Sequence, residues 1–213
     1  MTYKVSVILA GGLFLAACRV DFSSELYSRD VISTENLGFP ALLEVEVPSC
    51  TSDDRPQYER KILSVFSKSS EATIIGCRDD AFTSLLQVDF RGELSSSSSS
   101  ADLVMFRGQN DAGQTYIMPD LNRDFVTRVN QVLDENFQEL TFENVEIAFE
   151  LHNDSDGVVE YFLPSGWVDG DPGQYIEGTL ERREKMLVRT PDVISDLTLE
   201  GQQPVVIFLR ERE

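Results

Sequence analysis

The chain has 213 residues, of which 41% are hydrophobic, and this supports one folded domain with a real core instead of a disordered polypeptide. Its 37 acidic residues outnumber its 18 basic residues, so the formal net charge is −19. Because contacts with phosphates require a basic surface, this charge argues against nucleic-acid binding. The acidity is typical of a soluble surface, and the alternative is that it steers cationic proteins or divalent cations to the molecule.

The first 18 residues have the layout of a secretory signal. Lys4 precedes an apolar run that is shorter than the about 20 residues of a membrane-spanning helix. The following Leu15-Ala16-Ala17-Cys18 resembles the lipobox of bacterial lipoproteins. The resemblance implies cleavage before Cys18, which leaves residues 1–17 as signal peptide, and attachment of diacylglyceryl and N-acyl (palmitate) chains to that cysteine. Several acyl chains anchor a protein stably, whereas one does so only marginally.

The residues after the cysteine bear on the membrane in which the protein resides and on the group of lipoproteins that it resembles. In many lipoproteins an Asp after the cysteine marks retention in the inner membrane, but this chain has Arg19. The resemblance therefore implies the periplasmic face of the outer membrane. The run Cys18-Arg19-Val20-Asp21-Phe22, with Glu25-Leu26-Tyr27, Asp30 and Pro48-Ser49-Cys50, is similar to small uncharacterised lipoproteins of bacteria and of phages or prophages. It implies no binding residue beyond the lipidated Cys18.

Residues 18–40 are polar, and we interpret them as a lipid-anchored tether that leads into a single periplasmic domain over residues 41–213. The domain begins with alternating residues at 41–47, which predict a strand with Leu43, Val45 and Val47 on its buried face. A helix is predicted from the acidic cap at 53–54. Its buried stripe consists of Tyr58, Ile62, Val65 and Phe66.

Two cysteines remain once the lipidated one is set aside. In an oxidising compartment, Cys50 and Cys77 predict a disulfide. A metal site at these cysteines is disfavoured, because two cysteines and a single histidine do not supply a tetrahedral ligand set.

Further strands are predicted in the middle of the chain, at 72–77, 85–90, 103–106 and 114–118. The serine run 95–100 predicts a flexible loop. The turn residues at 109–113 indicate that the strands on either side pair as a hairpin. A helix that opens at 119–122 carries an apolar stripe, which consists of Phe125, Val126, Val129, Val132, Leu133 and Phe137, and should pack on a sheet.

The last third of the chain predicts a hairpin between alternating strands at 145–151 and 158–163, joined by the turn 153–157. Residues 164–176 are rich in Gly, Pro and Asp and predict a loop. A strand within 178–188, a short helical turn at 191–197 and a strand at 205–209 follow. The expected fold is α+β: a mostly antiparallel sheet with two amphipathic helices packed on it.

Candidate binding residues are few. Trp167 with Asp169 and Asp171 could form an aromatic and acidic contact for a cationic partner, although Asp, Gly and Pro also suit any tight loop. The turn 153–157 departs from a calcium loop, because His152 occupies the first ligand position and Leu163 the position of the bidentate Glu. His152 flanks a turn, and we interpret it as a solvated side chain.

The motifs of nucleophilic hydrolases, phosphate-binding loops and dinucleotide-binding folds are missing from the sequence. We therefore expect neither catalytic residues nor a cofactor, and we predict a non-enzymatic, membrane-anchored interaction module for an envelope protein partner. Two alternatives remain open. One is an inhibitor of a cationic wall hydrolase such as lysozyme, and the other is a periplasmic hydrolase with a carboxylate active site.

Overall fold

The structure is a computed structural model that describes residues 19–80, 83–134, 141 and 145–212. Alternating residues form eleven strands in the described part of the chain. They are β1 (Val20–Tyr27), β2 (Leu37–Val47), β3 (Thr73–Asp80), β4 (Thr83–Ser95), β5 (Leu103–Gln109), β6 (Thr115–Leu121), β7 (Val145–His152), β8 (Val158–Val168), β9 (Asp171–Leu180), β10 (Lys185–Arg189) and β11 (Ile207–Arg212). The helices are α1 (Ser28–Ile32), α2 (Arg55–Val65), α3 (Arg123–Asp134) and α4 (Asp192–Leu199), with a 3-10 turn at Lys68–Ser70.

Nine of the described strands form a closed ring in the order β10-β7-β1-β2-β4-β5-β6-β11-β8. The ring closes where Trp167 and Val168 of β8 pair with β10. Strand β3 is added to β4 and strand β9 to β8, both outside the ring. The expected α+β fold is therefore wrong, and the protein is a mainly β barrel. Closure buries the apolar face of every strand inside the ring, so the sheet does not depend on helices to cover it.

The barrel interior holds the residues that the alternation predicts. Leu43, Val45 and Val47 of β2 are buried as expected, and so are Ile62 and Val65 of α2. The largest fully buried side chains include four phenylalanines from three strands and α3. They are Phe22, Phe90, Phe125 and Phe149. Phe22 packs edge-to-face against two of the others, with ring centroids 6.3–6.5 Å apart, which joins the strands to α3.

Helices cover the two ends of the barrel differently. At the end where β1 begins, α2 and α3 pack against Val20 and Phe22, and we call this the α2–α3 end. At the end where β1 finishes, α1 inserts the fully buried Val31, and we call this the α1 end. Both helices α2 and α3 were expected from their apolar stripes. Phe137 lies outside the described residues.

The sequence interpretation of three segments differs from the structure. Part of the expected tether forms β1, which lies in the ring between β2 and β7. Its polar residues at 21, 23 and 25 face outward between buried ones, so polar composition concealed an alternating strand. Residues 164–176, expected as a loop, continue β8 and begin β9. The turn at 109–113 does join β5 and β6 as the predicted hairpin.

The predicted hairpin between β7 and β8 is wrong, although both strands exist. Strand β7 pairs with β1 and β10, whereas β8 pairs with β9, β10 and β11. The connecting turn is held both within itself and to β9, because Asn153 Nδ2 donates to the carbonyl of Gly157 at 2.9 Å and to that of Leu180 at 2.8 Å. Short separation in sequence favours pairing, but closure of the barrel gives β7 other partners.

Candidate functional site: the charged face of β1, β7 and β10

The predicted disulfide between Cys50 and Cys77 is confirmed, and their Cα atoms lie 5.5 Å apart. It joins the segment after β2 to the outer strand β3 at the α2–α3 end. This bond therefore fastens a strand that lies outside the closed ring.

The residues that we considered as a partner contact lie where β8 turns into β9. Trp167 is half-buried and pairs in register with Arg189, while Asp169 and Asp171 are exposed. Asp169 has a structural contact as well, because its Oδ1 accepts a hydrogen bond from the backbone N–H of Leu187 at 2.8 Å. Its φ of 51° lies in the left-handed region, which Asp tolerates better than most residues.

The turn 153–157 directs its carboxylates to protein donors. Asp154 accepts hydrogen bonds from the Ser28 hydroxyl and from the Arg29 backbone N–H, at 3.1 and 3.0 Å. Asp156 lies 2.9 Å from Arg29 and 3.3 Å from Arg182. The turn therefore binds α1, and these carboxylates are arranged for ion pairs within the chain.

A different group of ionisable side chains meets on the outer face of the barrel near the α1 end. Because β1 and β7 are parallel neighbours, Glu25 lies beside Glu150, and Tyr27 lies beside His152. All four point outward, since side chains alternate along a strand and the residues between them are buried. Strand β10 adds Lys185 opposite His152. We call these five residues the β1–β7–β10 face.

The contacts on this face are short. Lys185 Nζ lies 2.9 Å from Glu150 Oε2, and His152 Nε2 lies 2.8 Å from Glu150 Oε1. One ligand atom from each of Glu25, Glu150 and His152 lies within 4.8 Å of the others. The ring of His152 stacks on that of Tyr27, with centroids 5.0 Å apart, so the imidazole has a fixed plane. Among the residues that the structure describes, this is the set of His, Cys, Asp and Glu side chains with metal-ligand spacing.

Lys185 changes the acidity of its partner. Its hydrogen bond is the main reason that the pKa of Glu150 lies below the ordinary value, against the opposing effect of burial. The same contact raises the pKa of Lys185, with a further contribution from Glu25. The contact therefore favours the ionised forms of both Glu150 and Lys185.

The sequence analysis did not find this face. It treated His152 as a solvated side chain, whereas a quarter of that side chain is exposed and the ring is stacked. The spacing of Glu150 and His152, two residues apart on a predicted strand, could have placed both on one side. The contribution of Glu25 required the parallel pairing of β1 with β7, which the sequence analysis did not anticipate.

Comparison with known proteins gives one match. The profile of a family described as a domain of unknown function (DUF7424) matches residues 20–212. The chain belongs to this family. The match starts at the first residue of β1 and ends at the last residue of β11, so the DUF7424 unit comprises the whole barrel with its end helices. No curated protein and no solved structure matches the chain.

Arg19, one residue before the DUF7424 match, is already hydrogen-bonded to the barrel. The Arg19 backbone N–H donates to Glu46 Oε2 at 3.3 Å, and the Glu46 backbone N–H donates to the Arg19 carbonyl at 2.9 Å. Arg19 is therefore already held against β2, one residue before β1. No helix in the described part of the chain is both long enough and apolar enough to cross a membrane.

An interior cavity beside α2 and α3 is small. A cavity of about 10 Å³ lies between β1, β2, α2 and α3, and a single water molecule needs about 10–15 Å³ measured in the same way. Its lining is apolar and includes Phe22, Phe125 and Leu133. This cavity is therefore too small to hold a ligand.

Proposed function

We propose that this chain is a lipoprotein, attached through lipid on Cys18 to the periplasmic face of the outer membrane, that binds an envelope protein through the outer surface of its barrel. The lipobox residues 15–18 support the attachment. The interior cavity beside α2 and α3, at about 10 Å³, is too small for a small molecule, and this supports binding on the surface.

The observation that carries the proposal is the position of Arg19. This residue follows Cys18 directly and is hydrogen-bonded to Glu46 at the α2–α3 end. A lipid on the preceding cysteine would therefore hold that end of the barrel against the membrane, because at most a few ångströms of chain separate the two. The α1 end would face the periplasm and present its charged rim to a partner.

The α1 end offers polar side chains for such a contact. An open recess there is lined by Ile32, Gly113 and the end of β11, with Glu160 beside it. Arg210, Glu211 and Arg212 of β11 are exposed around it. Alternating charges of this kind confer selectivity for a complementary charged surface more than they confer affinity.

Attachment is tested by the intact mass of the full-length protein purified from detergent-solubilised membranes. We expect loss of residues 1–17 and added mass from acyl chains, and we expect Cys18→Ser to remove the added mass. Cys50→Ser with Cys77→Ser is the matched control, which should retain the lipid. A wild-type mass without lipid would refute the attachment.

The partner-binding part is tested separately by photo-crosslinking in living cells. A photoreactive residue replaces Arg210 at the α1 end, and the control places it at Asp53 beside α2. We expect one discrete adduct from position 210 that reappears when the identified partner is used as bait, and none from position 53. Adducts from position 53 alone would refute the orientation, and an adduct with a wall hydrolase that loses activity would identify an inhibitor.

A further inference from the structure

We infer that the β1–β7–β10 face is a binding site for a divalent transition-metal ion such as Zn²⁺, with His152 Nε2 and the carboxylates of Glu25 and Glu150 as its ligands. The inference is independent of the lipid anchor. It rests on three observations: the spacing of the ligand atoms, the state of the His152 nitrogen and the charge of the face.

The three ligand atoms lie close enough together for one metal ion to coordinate them. Zinc binds imidazole nitrogen and carboxylate oxygen at about 2.0–2.2 Å, which places the ligand atoms of a tetrahedral site about 3.3 Å apart. His152 Nε2 and Glu150 Oε1 are separated by 2.8 Å, and all three ligand atoms lie within 4.8 Å of one another. Glu25 is exposed and free to rotate about its side-chain bonds, so it can close the remaining gap.

The His152 nitrogen is the second observation. Nε2 is shielded from solvent, yet no hydrogen bond of acceptable geometry reaches it, although Glu150 Oε1 is near. A buried polar atom without a hydrogen bond is costly. A metal ion on Nε2 would satisfy this nitrogen, and the stack on Tyr27 already holds the ring in a plane that directs Nε2 toward the carboxylates.

The charge of the face is the third observation. The parallel register places the carboxylates of Glu25 and Glu150 side by side, and like charges in register repel each other. The single ammonium of Lys185 faces both of them, and its short contact is with Glu150. The face therefore has one cationic side chain for two acidic ones, in a protein whose net charge of −19 attracts cations.

The identity of the ligands selects the class of metal. Ca²⁺ and Mg²⁺ prefer sites made of oxygen alone, whereas an imidazole nitrogen favours zinc and its neighbours in the first transition row. Three protein ligands leave at least one position for water or for a side chain of another protein. The ammonium of Lys185 competes with the metal for Glu150. Replacement of Lys185 should therefore affect binding at this site more than replacement of a distant cationic residue, which would not be expected if the acidic surface attracted cations without specificity.

The test uses the full-length protein purified without a polyhistidine tag and titrated with ZnSO₄ in a calorimeter. We expect one zinc per chain. His152→Ala and Glu25→Gln should each weaken the affinity at least about tenfold, the size of loss seen when even a supporting residue of a metal site is removed. Glu177→Gln on β9 is the matched control for a lost surface carboxylate and should leave the affinity unchanged. Circular dichroism before each titration establishes that every variant is folded.

Two further readouts make the inference falsifiable. His152 is the only histidine in the chain, so the imidazole ¹⁵N resonances report on it alone, and zinc should shift Nε2 strongly. Lys185→Met should tighten zinc binding several-fold, and Arg91→Met, which removes a distant positive charge, should not. Unmoved imidazole resonances at saturating zinc, or equal affinities for the wild type and His152→Ala, would overturn the inference.

Discussion

A buried charged residue lies near each end of strand β5, and the two are stabilised in different ways. At the α2–α3 end, Asp102 is 1% exposed and meets the Arg128 guanidinium at 2.8 Å, the Ser70 hydroxyl at 2.6 Å and the Ser67 N–H at 2.7 Å. At the α1 end, Arg107 is 4% exposed and donates to neutral oxygens only. These are the Ser96 hydroxyl at 3.0 Å and the carbonyls of Asp30 and Glu35.

The difference shows how the two ends of the barrel are closed. Asp102 binds α3 through its ion pair with Arg128 and binds the 3-10 turn through a hydrogen bond from the Ser70 hydroxyl. Arg107 holds the segment between α1 and β2 through carbonyl dipoles, and its burial lowers its pKa while Asp30 and Glu35 oppose that effect. A guanidinium remains charged throughout the ordinary pH range, so the hydrogen bonds of Arg107 should not change with pH. The predictions below test this contrast.

The largest effect on the free energy of unfolding is expected at Asp102, which forms an ion pair with Arg128. Asp102→Ala should lower the free energy of unfolding by about 4 kcal/mol, because it removes the buried carboxylate that accepts hydrogen bonds from Arg128, from the Ser70 hydroxyl and from the Ser67 N–H. Urea denaturation followed by circular dichroism measures the change, and Asp111→Ala in the exposed β5–β6 turn is the control. A loss below about 1 kcal/mol would mean that the pair does not hold this end together.

The disulfide, also at the α2–α3 end, should contribute slightly less to the free energy of unfolding than Asp102 does. Cys50→Ser with Cys77→Ser opens a loop with a sequence separation of 27 residues, which corresponds to about 3.5 kcal/mol in the chain-entropy model. Because the bond fastens β3 outside the ring, hydrogen exchange should accelerate in β3 and α2 before it does in β5. Uniform acceleration over the barrel would contradict a local role for this bond.

Removal of the Arg107 guanidinium should lower the free energy of unfolding by less than either of the two changes above. Arg107→Met keeps much of the side-chain volume but leaves the carbonyls of Asp30 and Glu35 without a donor, and we expect a loss of about 2 kcal/mol in unfolding free energy. Hydrogen exchange should locate the change in α1 and at the start of β2. Arg91→Met on β4 is the exposed control. A loss as large as that of Asp102→Ala would remove the contrast between the two ends.

The smallest effect is expected for the partly exposed ion pair of Glu44 with Arg78. Burial raises the pKa of Glu44, but hydrogen bonds from Arg78 and Gln87 outweigh it, so the pKa lies below its ordinary value of 4.5. A depressed pKa contributes stability above the unfolded value, and that stability is lost as pH falls from about 4.5 through the lower folded pKa. Glu44→Gln should therefore flatten the stability profile below pH 4.5 by less than about 1 kcal/mol. An unchanged slope in acid denaturation would contradict this contribution.

Local patterns in the chain predicted individual elements well. The inward residues of β2, the stripes of α2 and α3 and the β5–β6 hairpin follow from side-chain periodicity and turn residues, which act over a few positions. The disulfide followed from the cysteine count and the expected compartment. Strand β1 was missed, because its outward polar residues resemble the composition of a tether.

The amino-acid sequence by itself determined which residues alternate, which helices have an apolar face and which cysteines are available to pair, since each of these is a property of neighbouring positions. Only the tertiary structure decided that the sheet closes, that β7 pairs with β1 instead of β8, and that Glu25 meets Glu150 and His152. The physical reason is that an apolar strand face can be buried beside many partners. The choice among them depends on the packing of the whole barrel, where twist, register and closure have to be satisfied together.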